Sequence, residues 1–277
     1  MKSRLWIIVW STIVVLSGCT GSKSSEGRKL IRVMSYNVHH GVGSDSTFDI
    51  YRIADVITQS SADIVALQDV DRWVDRTGRI DMMTKLADLT GMTYTFAKSM
   101  DIDGGEHGNG LLTRFPILEE RPLLYHMQMS GRECGLMRVV LDVRGTEMVL
   151  MNTELSSTAN DSVCNDNVRE IEDAAKEYRY VPIVLCCCLN STPESNAIAA
   201  IDTGFYDCWT LAGSGRGWTY PATMPARRVD YIFVSTAQVP TDNKTPEVSL
   251  KPVQAMTRNS VASVHLPVVA DLKVISE

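Results

Sequence analysis

Residues 31–38 run Ile31-Arg32-Val33-Met34-Ser35-Tyr36-Asn37-Val38, a largely apolar stretch that reads as a buried strand. Beyond it, Ile50, Ile53, Val56 and Ile57 recur at helical spacing and predict a helix within residues 48–60. Residues 63–70 form a second β-rich run, and a helix is expected over 81–90. Three strands follow at 110–113, 136–143 and 148–153, then a charged helix over 161–178. Residues 182–185 read as another buried strand, with two more at 229–234 and 266–272. The Pro/Thr/Asn-rich stretch 240–246 reads as a loop. Strands outnumber helices, and Arg144-Gly145 has the character of a hairpin turn, so a purely parallel sheet is not expected. The pattern predicts an α/β fold of mixed sheets packed face to face with helices outside.

The first residues differ in kind. Lys2 and Arg4 precede an apolar stretch, Leu5 to Leu16, that is short for a bilayer span. It ends in Leu16-Ser17-Gly18-Cys19, which resembles the lipobox of bacterial lipoproteins. That resemblance implies cleavage before Cys19 and acylation of its thiol. A plain signal peptide with a cysteine at its cleavage region is the alternative. Residues 20–27 are short and polar, as a tether should be. The expected organisation is a lipoprotein signal peptide (1–18), a flexible tether (19–29) and one domain (30–277). The implied location is export with lipid anchoring to a bacterial membrane, periplasmic or at the cell surface. The absence of Asp after Cys19 implies the outer membrane if the cell has one.

A chain of 277 residues with 44% hydrophobic content can bury one sizeable core. A monomer is expected. Its net charge of −6 gives no electrostatic case for nucleic acid or for an anionic membrane surface. Membrane contact is therefore expected through the lipid anchor alone. A phosphate-ester substrate would need a local cation or metal to offset that charge. Six cysteines follow Cys19, and Cys186-Cys187-Cys188 are consecutive. Their spacing shows no disulfide framework.

Seven segments, in order, resemble the endonuclease/exonuclease/phosphatase superfamily with its deoxyribonuclease-I-like fold. They are Met34-Ser35-Tyr36-Asn37-Val38, Asp63 through Gln68-Asp69-Val70, Gly108-Asn109-Gly110-Leu111-Leu112-Thr113-Arg114-Phe115-Pro116, Asn152-Thr153-Glu154-Leu155, Cys187-Cys188-Leu189-Asn190, Arg228-Val229-Asp230-Tyr231-Ile232 and Ser263-Val264-His265-Leu266-Pro267. The resemblance covers residue 32 to the C-terminus. It implies a four-layer sandwich and hydrolysis of phosphate esters with Mg²⁺ or Mn²⁺. Such chemistry needs a cation on the phosphoryl oxygens and a base to activate water.

On that resemblance, Asn37 and Asn190 would hold metal-bound water or phosphate oxygens. Asp230 would orient His265 as the base, and Asn109 would be a structural or substrate-side amide. Other positions depart. Asp69 stands for the metal-ligating Glu and sets its charge back by about 1.5 Å. Glu154 replaces a histidine, so it repels phosphate and donates no proton; it could serve as a metal ligand instead. Cys188 replaces a water-aligning or metal-binding Asp, and a neutral thiol is a poor partner for a hard cation. Val264 replaces another metal-side Asp and cannot ligate. Cys187 replaces a glycine, where a Cβ is expected to crowd the site, and Cys134 stands where an arginine is usual.

These substitutions fall on the chemistry and spare the core. The leading expectation is a catalytically impaired domain that keeps a weak phosphate-ligand or partner site, with metal binding weakened or lost. A divergent but active hydrolase, with Asp69 and Glu154 on the ion, is the first alternative. A soft-metal site of Cys188, His265 and a carboxylate is the second. His39-His40 are expected as exposed loop histidines, with a place at the pocket edge as the alternative, and Glu106 and His107 as part of a Gly-rich loop bordering the site. Trp209, Trp218 and Tyr220 are expected either to stack on a ligand or to pack against Arg216 or the core.

Overall fold

A computed structural model describes residues 30–128, 133–156, 161–178, 180–235 and 248–276. The signal peptide, the whole tether with Cys19, and the loop at 240–246 lie outside these residues. Among the described residues, no helix is long and apolar enough to cross a membrane.

The chain begins with β1 (Leu30–Asn37), α1 (Ile50–Ser60) and β2 (Ile64–Arg72), followed by α2 (Met82–Thr90). A hairpin of β3 (Thr93–Ile102) and β4 (Gly105–Thr113) comes next, then β5 (Ile117–Glu120), β6 (Leu123–Leu124), β7 (Gly135–Asp142) and β8 (Glu147–Glu154). The remainder is α3 (Asp161–Lys176), β9 (Ile183–Cys188), α4 (Asn196–Ile201), β10 (Phe205–Asp207), α5 (Cys208–Ala212), β11 (Asp230–Ser235), β12 (Val248–Thr257) and β13 (Val268–Ser276). One sheet has the order β12-β13-β1-β2-β4-β3; the other is β10-β11-β9-β8-β7-β5, with β6 on β7. Within each, one pair is parallel, β1 with β2 and β8 with β9. Both sheets are mixed, as expected.

Three apolar clusters fill the layers. Val33, Ala66, Leu111, Leu150, Val184 and Ile232 belong to the core between the sheets. Ile53, Ile57, Met83 and Leu86 fasten α1 and α2 to the first sheet, and Val168, Ile171 and Ile198 fasten α3 and α4 to the second. The result is the four-layer sandwich. Local chemistry starts each early helix: Asp49 accepts from the amides of Tyr51 and Arg52, and Asp81 from those of Met83 and Thr84.

Five of the described strands escape the hydrophobic pattern: the edge strands β3, β12, β5 and β10, and the two-residue β6. β3 ends its sheet, so several of its residues face solvent. β12 closes the opposite edge and carries Pro252 at a register shift, a place where a strand tolerates the missing N–H. The expected Gly-rich loop is instead a hairpin, with Glu106 and His107 inside β4 and a turn at Asp103-Gly104. The cysteine run alternates across β9. Cys186 joins the inter-sheet core, and Cys187 turns into the layer under α3 and α4. Cys187 therefore does not crowd the site.

Candidate functional site

Strand ends converge at one edge of the sandwich. β1 ends at Asn37, β8 at Glu154 and β9 at Cys188. Ladder register sets Glu154 opposite Cys188, and Cys188 opposite Asp230, the first residue of β11. Asp69 is brought in by a bulge: pairing of β2 with β4 shifts between Leu67 and Val70, and Asp69 takes φ 58°. Such an extra residue re-aims a side chain that a regular ladder would send to a sheet face. His39, His40 and Asn190 also have positive φ (45°, 42° and 53°), a region few non-glycine residues occupy. A concentration of such residues requires tight support from around them.

Part of that support is an amide bridge between the sheets. Gln68 Nε2 donates to Asn152 Oδ1 at 2.7 Å and to Ser35 Oγ at 3.2 Å. Asn152 Nδ2 donates to the carbonyls of Leu67 and Gly110, both at 2.9 Å. The two amides are fully buried and span the sheets beneath Asp69.

Two histidine–carboxylate pairs belong to the site. His265 Nδ1 lies 2.9 Å from Asp230 Oδ2, and the Tyr220 ring is 4.9 Å from the His265 ring. Burial alone would lower the His265 pKa, but the charge and hydrogen bond of Asp230 leave it raised. His107 Nδ1 lies 2.9 Å from Asp71 Oδ1, and Asp71 is gripped by Arg76 through Nε at 2.6 Å and Nη2 at 2.8 Å. The His107 pKa is also raised, because Asp71 and the nearby acids outweigh burial. His107 Nε2 and His40 Nδ1 each lie 3.5 Å from Asp69 Oδ1.

The other expected positions divide. Asn37 Oδ1 accepts the His39 amide at 3.0 Å, and so caps its own turn. Asn109 Nδ2 donates to the Gly135 carbonyl at 3.1 Å, and Asn190 Nδ2 to that of Leu155 at 2.8 Å. Cys188 is buried, and burial together with Asp230 and Glu154 drives its pKa well above the ordinary range. Its thiol keeps its proton at neutral pH. Val264 is half-buried beside His265, and its carbonyl accepts the Ala222 amide at 2.7 Å. Cys134 lines a small hollow with Asn109 and Glu154. The six cysteines among the described residues are buried and form no disulfide with one another.

Some expectations need correction. His39 and His40 are half-buried and line the cleft, because their short 3-10 turn folds back over Asp69. For the loop aromatics the packed alternative holds: Trp209 packs against the inter-sheet core, and Trp218 lies under Arg216, 4.8 Å from ring centroid to guanidinium carbon. Asp71 and Arg76 had not been singled out. The Asp69-Val70-Asp71 spacing was the available signal for Asp71, and Arg76 offered none.

The cleft, about 160 Å³, is lined by His39, His40, Asp69, Arg76, Met100, Ile102 and His107. Among the described residues, three sets could hold a metal ion: His39/His40/Asp69, Asp69/His107/Glu154 and Cys188/Asp230/His265. Each contains at least one imidazole. A Mg²⁺ shell is built from oxygens at near-octahedral positions. With Val264 lacking a donor, Cys188 a protonated thiol and Asn37 Oδ1 engaged, the site fits such a shell poorly.

Comparison with known proteins agrees with this architecture. The chain is 24% identical to the Escherichia coli protein YbhP over 243 residues, covering 78% of this chain and 88% of that one. A solved family structure from Bacteroides vulgatus aligns with a TM-score of 0.71 at 18% identity, over 89% of this chain and 99% of that one. One from Beutenbergia cavernae gives 0.68 at 22%, over 89% and 72%. A mannosyl-6-phosphatase from Bacteroides thetaiotaomicron gives 0.64 at 18%, over 87% and 99%. Residues 34–250 match the Endonuclease/Exonuclease/phosphatase family as a whole, and the chain belongs to that family.

Proposed function

We propose that this chain is a phosphoesterase-fold domain with its hydrolytic chemistry reduced to a remnant, and that it retains a pocket for a phosphate-bearing ligand. The observation that carries this reading is the row Glu154–Cys188–Asp230 across β8, β9 and β11. A base is present in His265, held by Asp230. Beside it, where water should be aligned and a dication gripped, stand a protonated thiol and, one residue before His265, an aliphatic side chain. Glu154 adds negative charge where the family has a proton-donating ring. Loss of a general acid costs about 10²–10⁴-fold, and residues acting as a unit do not lose rate additively.

Ligand retention draws on different residues. Arg76 lines the cleft with His39, His40 and His107, and its guanidinium is a local positive charge in a chain of net charge −6. A phosphate group would meet donors there. The polypeptide is further proposed to be acylated at Cys19 and held at a bacterial membrane by that lipid, with the domain outside the cytoplasm.

The test uses the purified full chain with a generic phosphodiester and a phosphomonoester, in Mg²⁺ or Mn²⁺. Turnover at least about 100-fold below that of an intact relative is expected. A rate equal to the relative's, abolished by His265→Ala, would instead identify a working, divergent hydrolase.

A further inference from the structure

We infer that Asp69, His107 and Glu154 bind a divalent ion of the Zn²⁺ class, with Asp71 as the residue that positions His107. Two of the three ligands have no counterpart in the chemistry the family resemblance implies. His107 lies outside the quoted motifs, and Glu154 stands where a histidine is expected.

Geometry carries the assignment. Ligand atoms of the three side chains all lie within 4.8 Å of one another. Around a tetrahedral ion with bonds of about 2.0–2.1 Å, ligand atoms sit about 3.3–3.4 Å apart. His107 Nε2 and Asp69 Oδ1 are 3.5 Å apart, already at that spacing. The side chains are buried, with Asp69 7% exposed, Glu154 8% and His107 9%. Two carboxylates brought this close in a shielded place repel each other, and a dication between them turns that repulsion into attraction.

The orientation of His107 is the second, independent observation. Metal-binding imidazoles almost always donate their other ring N–H to a carboxylate or carbonyl. Asp71 has no solvent exposure and is held by two hydrogen bonds from Arg76. As an acceptor it takes the Nδ1 hydrogen of His107, which leaves the Nε2 lone pair facing Asp69. The Arg76–Asp71–His107 chain thus aims one nitrogen donor at the two carboxylates. Imidazole selects Zn²⁺ and its transition-metal neighbours over Mg²⁺. Access exists too, since the cleft beside Asp69 and His107 is open to solvent. On its far side His40 Nδ1 is a buried nitrogen without a hydrogen-bond partner, 3.5 Å from the same Asp69 oxygen.

The inference is independent of how much hydrolysis survives. The test is calorimetric titration of the chelator-treated full chain with Zn²⁺ and with Mg²⁺, followed by zinc X-ray absorption on the loaded protein. One Zn²⁺ per chain is expected, bound at least about 100-fold more tightly than Mg²⁺. A first shell of nitrogen and oxygen at about 2.0–2.1 Å, without sulfur near 2.3 Å, is expected in the spectrum. His107→Asn should abolish tight binding, and Asp71→Asn should weaken it about 10- to 100-fold. Circular dichroism checks that each variant folds, and if His107→Asn does not, Asp71→Asn and the parent's titration decide. Equal affinity for the two metals, an unchanged Asp71→Asn isotherm, or a sulfur ligand lost in Cys188→Ser would overturn the assignment.

Discussion

Cys188 stands directly across the ladder from Asp230, so a buried thiol faces the carboxylate that holds His265. Asp230 raises the pKa of that thiol and of the imidazole alike. Burial raises the thiol first, and Asp230 shifts both neighbours toward their protonated forms. On the function proposed above, the base side of the family's machinery is kept, while the group beside it that would be anionic is a neutral thiol.

Restoring the family's groups should therefore restore rate. The combined variant Asp69→Glu, Glu154→His, Cys188→Asp and Val264→Asp is expected to hydrolyse a phosphodiester in Mg²⁺ at least about 100-fold faster than the parent. Steady-state turnover of the two proteins checks this. No gain in a folded quadruple variant would show that the defect lies elsewhere in the cleft.

The His265–Asp230 pair also predicts how stability depends on pH. Burial alone would lower the imidazole's pKa, but Asp230 leaves it raised in the folded protein. The pair's contribution is then complete below the unfolded value of about 6.5 and is lost as pH rises through the folded value. The parent's stability advantage over His265→Gln should shrink on going upward from about pH 6.5. Denaturant titrations in chelator at a series of pH values measure the difference. An advantage that grew with pH would contradict the sign.

Asn152 should matter for stability before it matters for chemistry. Replacement by Leu strips partners from Gln68 Nε2 and from the carbonyls of Leu67 and Gly110 in a fully buried setting. Each unsatisfied buried group costs about 1–3 kcal/mol, so a loss of about 3 kcal/mol or more is expected. Urea unfolding of Asn152→Leu tests it, and a loss below about 1 kcal/mol would mean that the bridge contributes little.

Gly108 separates His107 from Asn109 on β4. A Cβ there would run into the backbone carbonyl of Ala97 on β3, which cannot swing aside as a side chain could. Gly108→Ala is expected to destabilise the fold by about 1–3 kcal/mol. Gly204→Ala, where an added methyl meets nothing within 4 Å, should be close to neutral. Thermal melts of the two variants make the comparison, and equal melting temperatures would show that β3 yields freely.

The legible parts of the sequence were those written in short range. Apolar positions such as Ile31, Val33 and Met34, and the run Ile64–Leu67, are buried, so their signal is strong. Edge strands β3 and β12 face water along part of their length, and no such run marked them. Motif order identified the strand ends, and the structure places Cys186 and Cys187 on opposite faces of β9, as the two-residue period of a strand requires. Yet Cys187 was expected to crowd the site, although the same period turns it away.

Sequence alone thus determined the layers, the strand ends and the residue types delivered to one edge, because burial and strand period act between near neighbours. Only the tertiary structure decided which charges meet. The bulge that turns Asp69 toward His40 and His107 is set by pairing with β4. The Arg76–Asp71–His107 chain joins residues as many as 36 positions apart. Such contacts depend on where separate strands are placed in space, and no local pattern of residues encodes that distance.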